Sequence, residues 1–394
     1  MQTAVRTHLT PTATQPTHRM YFLDNLRVFL AILVIAHHAA ITYGASGSWY
    51  YYERSESMVL NLLLSFFVAV NQFYFMGLFF FIAGFFTPGA YDRKAGVRFW
   101  RDKLLHLGVP LAVFVFTLNP VMRYLAMRSV SPAGGTFGGF YRSRILNCSD
   151  LAPGPLWFVW TLLIFTLGYT LVRWLRENGN RRKTLEPQEH SVFTGAQSVG
   201  FATILGIALL VTRQWFPIQK EVWHLQLAYF PQYFALFCLG VLAYRRNWLS
   251  QLSPQLAQTW LGALIPTLVG MPLVMFLGAG SKGDMAPFFW GFSWQCAVSA
   301  FVEAFCCTGI CINLLVLFRN RFNTGGQFAR FLARNTYPVY ITHGLILILL
   351  SLGLRDLTWP PLVKFLVVTC LGVAISFLVS HFVIRRLPGV KQVL

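Results

Sequence analysis

Charge is scarce in this sequence. Asp, Glu, Lys and Arg make up 11% of its 394 residues, and only 13 of these are acidic against 32 basic. A typical soluble domain is about one-quarter charged, so the two or three soluble domains that the length would otherwise suggest are excluded by composition. There is no cysteine framework. Cys238, Cys296, Cys306, Cys307, Cys311 and Cys370 all fall inside apolar runs, and Cys148 alone sits in a long loop, so no disulfide scaffold is implied. Cys306, Cys307 and Cys311 lack the spacing of a zinc site and have no nearby histidine; they read as small packing residues, and no metal is expected. No repeat of fixed period is found. The net charge of +19 invites a nucleic-acid reading, but that needs a basic face, and here Lys and Arg sit in short segments between apolar stretches. No nucleic-acid partner is expected.

What is abundant is apolar: 56% hydrophobic and 16% aromatic residues, with a mean hydropathy of +0.55. A membrane span needs about 20 mostly apolar residues. On that measure the chain carries about ten, centred near residues 34, 72, 115, 165, 206, 236, 267, 304, 344 and 373. The fold class is therefore all-α, a polytopic membrane protein whose lipid partner is the bilayer. Residues 1–19 are rich in Thr and Pro and read as a disordered leader. The small residues "GASGS" after the first apolar run could suit a cleaved signal peptide, but that run has the length of a span and is read as retained. Residues 20–388 form one transmembrane domain and 389–394 a short tail.

Basic residues alternate between connections. Arg93, Lys94, Arg98, Arg101 and Lys103 follow span two; Arg173, Arg176, Arg181, Arg182 and Lys183 follow span four; Arg245 and Arg246 follow span six. Arg319, Arg321, Arg330 and Arg334 follow span eight, and Arg385, Arg386 and Lys391 close the chain. The other connections are poorer, with Arg54 beside Glu53 and Glu56, Lys282 beside Asp284, and Arg355 beside Asp356. By the positive-inside rule both termini face the cytoplasm, and the expected location is a cell membrane, bacterial inner or plasma. The loop at 126–155 departs from this trend with Arg128, Arg142 and Arg144, and reads either as a floppy connection or as a lid or substrate collar. The polar stretch at 175–195 reads as a solvated linker.

Ionisable groups inside a bilayer cost about 2.5–3.5 kcal/mol each on insertion scales, which makes them functional candidates. In "LRVFLAILVIAHHAAITYG", His38 follows Arg27 by eleven residues, placing it roughly 16 Å deeper along a helix. Arg27 can snorkel to the interface, whereas His38 cannot. His37 and His38 differ by about 100° around the helix, so both cannot point into one site. In "RNTYPVYITHGLILILL", His343 lies about 13 Å beyond Arg334, close to the depth of His38, and Tyr337, Tyr340 and His343 form one polar stripe. Glu303 is the single acid of span eight and should be paired or protonated; a histidine near its depth is the expected partner. Arg98 and Arg101 share a helix face that could grip a phosphorylated ligand, although the same arginines also satisfy the positive-inside bias.

Together these residues resemble the acyltransferase-3 family of membrane O-acyltransferases. The resemblance runs through "LDNLRVFLAILVIAHH" with Asp24, Arg27 and His38, "FFFIAGFF", Arg98 and Arg101 as Arg-x-x-Arg, "GPLWFVW" and "NTYPVYITH". It covers the two ends of the chain by motif and the middle by span pattern, and is nearest to the family's glucan-biosynthesis branch. Ala83 stands where the family usually has serine, and His37 duplicates the histidine. The resemblance implies an acyl-CoA donor entering from the cytoplasm with its phosphates on Arg98 and Arg101, and a carbohydrate hydroxyl as acceptor. It further implies catalysis by His38 with His343, to which Glu303 is added as a catalytic residue from its depth alone, and Arg27, Trp157, Tyr337 and Tyr340 are the expected substrate contacts. His38 would act as general base or as a transient acyl-imidazole; no cofactor is needed beyond acyl-CoA as co-substrate. A proton-coupled transporter using the same His and Glu is the main rival, and a catalytically silent sensor the third class; oligomeric state is left open.

Overall fold

The computed structural model describes residues 19–94, 96–131, 135–178, 192–218, 220–280 and 283–389. The expected leader over residues 1–18, the basic residues Arg181, Arg182, Lys183, Lys282 and Lys391, and the end of the tail lie outside the described residues. Fifteen α-helices are found among the described residues: α1 (Tyr21–Thr42), α2 (Met58–Gln72), α3 (Phe75–Lys94), α4 (Gly96–Lys103), α5 (Val109–Phe116), α6 (Leu118–Val130), α7 (Phe137–Tyr141), α8 (Trp157–Asn178), α9 (Gly195–Thr212), α10 (Phe230–Arg245), α11 (Trp248–Gln251), α12 (Pro254–Ala279), α13 (Trp294–Arg321), α14 (Gln327–Gly353) and α15 (Pro361–Phe382). They make ten stretches long and apolar enough to cross a membrane, one for each apolar run of the sequence. The chain is an all-α, multi-pass membrane protein.

Helix starts follow local chemistry. Ser57, Thr194, Ser253 and Ser293 accept backbone N–H groups at the N-termini of α2, α9, α12 and α13, and Pro254 and Pro361 occupy first-turn positions where no N–H is needed. Two spans are broken. The second divides at Phe73–Tyr74, and the freed Phe73 carbonyl accepts Gln232 Nε2 at 2.6 Å. The third passes through a π-turn at Leu104–Gly108 and a second break at Thr117. In α14, Pro338 has no N–H to offer the Arg334 carbonyl, and Arg385 Nη1 donates to it at 2.6 Å instead. Each repair obeys the rule that backbone polar groups cannot be left to lipid.

The basic connections gather at one end of the bundle. Asp92 takes both Arg173 (3.2 Å) and Arg245 (2.7 Å), tying together the ends of α3, α8 and α10. Arg319 donates to the carbonyls of Leu249 and Leu252, and Asn25 donates to those of Phe322 and Thr324. At the opposite end Lys364 pairs with Glu53, Arg123 with Asp150 at 2.6 Å, and Gln214 donates to the Gly291 carbonyl at 3.0 Å. The loop at 126–155 is thus partly helical and anchored, since α6 runs on to Val130 and Asp150 is tied back to α6.

The most extensive pairings are α3 with α10, α9 with α13, α14 with α15 and α12 with α13, and α1 packs against α2, α3, α13, α14 and α15. This makes α1 the central helix. By contrast α12 leaves Ile265, Val269, Leu273 and Phe276 exposed, a lipid-facing surface. The α3–α10 crossing is backbone to backbone: a Cβ on Gly84 would overlap the Phe237 carbonyl, and one on Gly240 would overlap the Phe81 carbonyl. Small residues permit such an approach within membranes. Gly240→Ala is therefore expected to destabilise the bundle by about 1–3 kcal/mol through overpacking, read as a lower denaturation midpoint in detergent; an unchanged midpoint would refute the tight crossing.

Candidate functional site

His38 lies in the last third of α1, four residues before its end at Thr42, and its ring is stacked on Trp49 with centroids 3.8 Å apart and planes at 16°. His343 of α14 lies beside this pair, 5.6 Å from His38 at 20°. Trp49 is itself 6.3 Å from His343, again nearly parallel. Three rings from α1, the following connection and α14 therefore meet in the bundle. Gly344 lies against this group, where a Cβ would touch Trp49 Cη2 at 3.5 Å and displace the end of the Met122 side chain. His38 is only half-buried, but its Nδ1 is shut off without a hydrogen-bond partner.

His343 is fully buried, and its Nδ1 sits 2.7 Å from the Tyr340 carbonyl oxygen. A carbonyl can only accept, so Nδ1 must carry the proton, and in the neutral ring Nε2 keeps its lone pair. That Nε2 is buried and unpartnered. The stripe predicted for α14 divides: Tyr340 donates its hydroxyl to the Pro155 carbonyl and stacks 5.8 Å from His343, whereas the Tyr337 hydroxyl is buried without a partner. His37 points elsewhere, stacked 4.8 Å from Phe75 of α3 and at 86° to His38.

The expected pairing of Glu303 with a histidine is corrected. Glu303 is bound by Arg213, which follows α9; both are buried, and Arg213 also donates to Ser299 Oγ at 3.3 Å. A full guanidinium charge is a stronger partner for a buried carboxylate than a neutral imidazole. Trp157 likewise lies in another set of contacts, 5.2 Å from Tyr233 and 6.3 Å from Phe80. Arg27 is half-buried at the basic end of α1, 4.0 Å from Asp24, which also takes Arg19 at 2.7 Å. Arg98 and Arg101 both lie exposed on α4 at the basic end. No ion pair to either is found among the described residues.

Sequence reasoning missed Trp49, Arg213 and Lys364. The two cations had a visible signal, since Arg213 closes an otherwise apolar span on a poorly basic side and Lys364 stands four residues into the last one. Trp49 had none, being one aromatic among four in "WYYY". Its neighbour Tyr50 donates to Asn119 Oδ1 at 2.5 Å, and Asn119 donates to the Ala152 carbonyl at 2.8 Å. Burial pushes the Tyr50 phenol well above its usual range, so it stays a donor.

Residues 20–381 match the model of the acyltransferase-3 family, described as an acyltransferase domain. Glucans biosynthesis protein C of Salmonella schwarzengrund is 26% identical over 202 residues, covering 50% of this chain and 50% of that protein. The protein of the same name from Salmonella heidelberg is 25% identical over 202 residues with the same coverage. The chain spans about half the length of the curated relatives it matches. No solved structure matches it.

The Arg213–Glu303 pair predicts an asymmetric mutational response. Glu303→Leu leaves a buried, uncompensated guanidinium and is expected to destabilise by about 3–5 kcal/mol, whereas adding Arg213→Met removes the stranded charge and recovers most of that loss. Denaturant unfolding of the two variants checks this; a double variant no better than the single one contradicts it.

Proposed function

This chain belongs to the acyltransferase-3 family of membrane enzymes, and from that premise we propose that it moves an acyl group from an acyl-CoA docked at the basic end to a carbohydrate hydroxyl arriving from the opposite end. In this reading the basic end faces the cytoplasm and the membrane is a cell membrane. The observation that carries the proposal is the His38–His343 pair, two near-parallel imidazoles 5.6 Å apart inside the bundle, one half-open and the other with a bare Nε2. The carbohydrate acceptor is supported by the name of the Salmonella relatives, glucans biosynthesis protein C.

Arg98 and Arg101 hold the nucleotide phosphates, being exposed, adjacent on one helical face and unpaired among the described residues. The thioester then extends toward α1. The acceptor oxygen attacks the thioester carbonyl, the C–S bond breaks, and the hydroxyl proton passes through imidazole to the departing CoA thiolate. His38 takes that proton directly or first accepts the acyl group itself; His343, fixed in one tautomer by the Tyr340 carbonyl, stands beside it as an acceptor. The thioester is already activated, so neither route consumes ATP. His37, packed on Phe75, is a neighbour that shapes α1 rather than the acting ring.

Purified protein in nanodiscs, given acyl-CoA and a glucan oligosaccharide, should form an ester detectable by mass spectrometry. His38→Ala is expected to reduce the rate about 10²–10⁴-fold while the denaturation midpoint is retained; an unchanged rate would remove His38 from the reaction. Arg98→Ala is expected to raise KM for acyl-CoA about tenfold or more, the loss of one charge-assisted contact. With acyl-pantetheine, which has no nucleotide phosphates, the same variant should match wild type. A KM unchanged with acyl-CoA would assign the two arginines to membrane orientation alone.

A further inference from the structure

We propose that Trp49 is a positioning residue for His38, and that an ion pair between the buried Lys364 and the half-buried Glu53 holds the Trp49 segment over the imidazole as a shield against water. The inference rests on the reading of His38 as the residue of acyl transfer. Trp49 lies on the connection between α1 and α2, and its indole covers one whole face of the His38 ring. A face-to-face contact at 3.8 Å leaves no space for a water molecule between the rings.

This connection is built, not slack. Glu53 N–H donates to the Thr42 carbonyl at 2.8 Å, Ser46 N–H to Ser65 Oγ at 2.9 Å and Trp49 N–H to Tyr52 Oη at 2.6 Å. Tyr50 reaches across to Asn119; Gly154 serves this approach, with φ at 49° and no room for a Cβ beside the Tyr50 hydroxyl. The firmest tie comes from 311 residues away. Lys364, at the start of α15, is 2% exposed, and its ammonium contacts Glu53 and the Arg355 carbonyl. An ammonium is buried at a bundle rim only where its partner is fixed, so the pair registers the segment against α15 and sets where Trp49 falls.

The chemistry gives this shield a purpose. A thioester held beside an imidazole can be attacked by water as well as by a sugar hydroxyl: acyl-CoA plus water gives free acid plus CoA-SH, and the acyl group is wasted. Covering the ring from the acceptor's end leaves attack to an alcohol that displaces or slides past Trp49, and it also holds the imidazole plane in one orientation.

The test uses full-length protein in nanodiscs and two independent readouts. The first is modification of His38 by diethyl pyrocarbonate, followed by peptide mass spectrometry and requiring no enzymatic turnover. The second is the partition of consumed acyl-CoA between ester and free acid with a glucan oligosaccharide present. Trp49→Ala and Lys364→Met are expected to raise the His38 modification rate at least about fivefold by opening the segment and to shift the partition toward free acid. Trp49→Phe keeps an aromatic face and should restore both toward wild type, which loss of fold would not allow. An unchanged His38 modification rate in Trp49→Ala overturns the proposal and leaves His38-dependent transfer standing. Raised modification with no acyl transfer by the wild type overturns the functional reading instead, while the shield over the ring stands.

Discussion

Hydrocarbon offers no hydrogen-bond partner, and that single deficiency organises the interior of this bundle. Where a backbone carbonyl loses its helical partner, at the break after Phe73 or at Arg334 one turn before Pro338, another part of the chain brings it a donor, Gln232 in one case and Arg385 in the other. Where a charge is buried, a counter-charge is brought to it: the buried Glu303 for Arg213, and the half-buried Glu53 for Lys364. The imidazoles are treated differently. His37, His38 and His343 each keep one ring nitrogen without a protein partner. A neutral nitrogen is the cheapest polar atom to leave bare in this setting, and it is also the atom that proton transfer requires.

The same constraint separates the two ends of the molecule. At the basic end arginines clasp carbonyls and share Asp92, so the connections are tied while Arg98 and Arg101 stay exposed. At the opposite end the ties found among the described residues pin the connections to the helices: Lys364 to Glu53, Tyr50 to Asn119, Arg123 to Asp150. A ligand approaching from the basic end meets positive charge on a short helix. One approaching from the other meets aromatic side chains on a braced connection. That difference suits an anionic donor on one side and a neutral, polyhydroxylated acceptor on the other.

How far the site was legible depended on which physical signal each residue carried. His38 and His343 could be aligned from the rise of an α-helix, because each lay a countable distance from an interfacial arginine in a span of the same direction. The ten spans were legible for the same reason, since length and hydropathy are properties of contiguous sequence. Glu303 was not assignable in this way. Depth alone cannot say which neighbouring helix a side chain faces, and α13 presents it to α9 and Arg213 rather than to α14. Trp157 failed similarly: its motif opens α8, but the packing of α8 on α3 turns it toward Phe80 and Tyr233. Trp49 was hidden because the fold of a connection is decided by distant partners, here Lys364 and Asn119, and no local periodicity reports them.

The displacement of Glu303 from the histidines bears on the chemistry. With a carboxylate against it, an imidazole is held in place and made more basic, the arrangement of hydrolytic triads. His343 instead gives its Nδ1 proton to a backbone carbonyl, a neutral acceptor that fixes the tautomer while adding less to the basicity of Nε2. In the proposed transfer strong basicity is dispensable, because the thioester carbonyl is already electrophilic and the CoA thiolate leaves before it takes up the proton that imidazole carries. In that reading the carbonyl that orients His343 and the aromatic cover on His38 support the two rings, and the buried carboxylate of α13 is free to hold Arg213 and join α9 to the rest of the bundle.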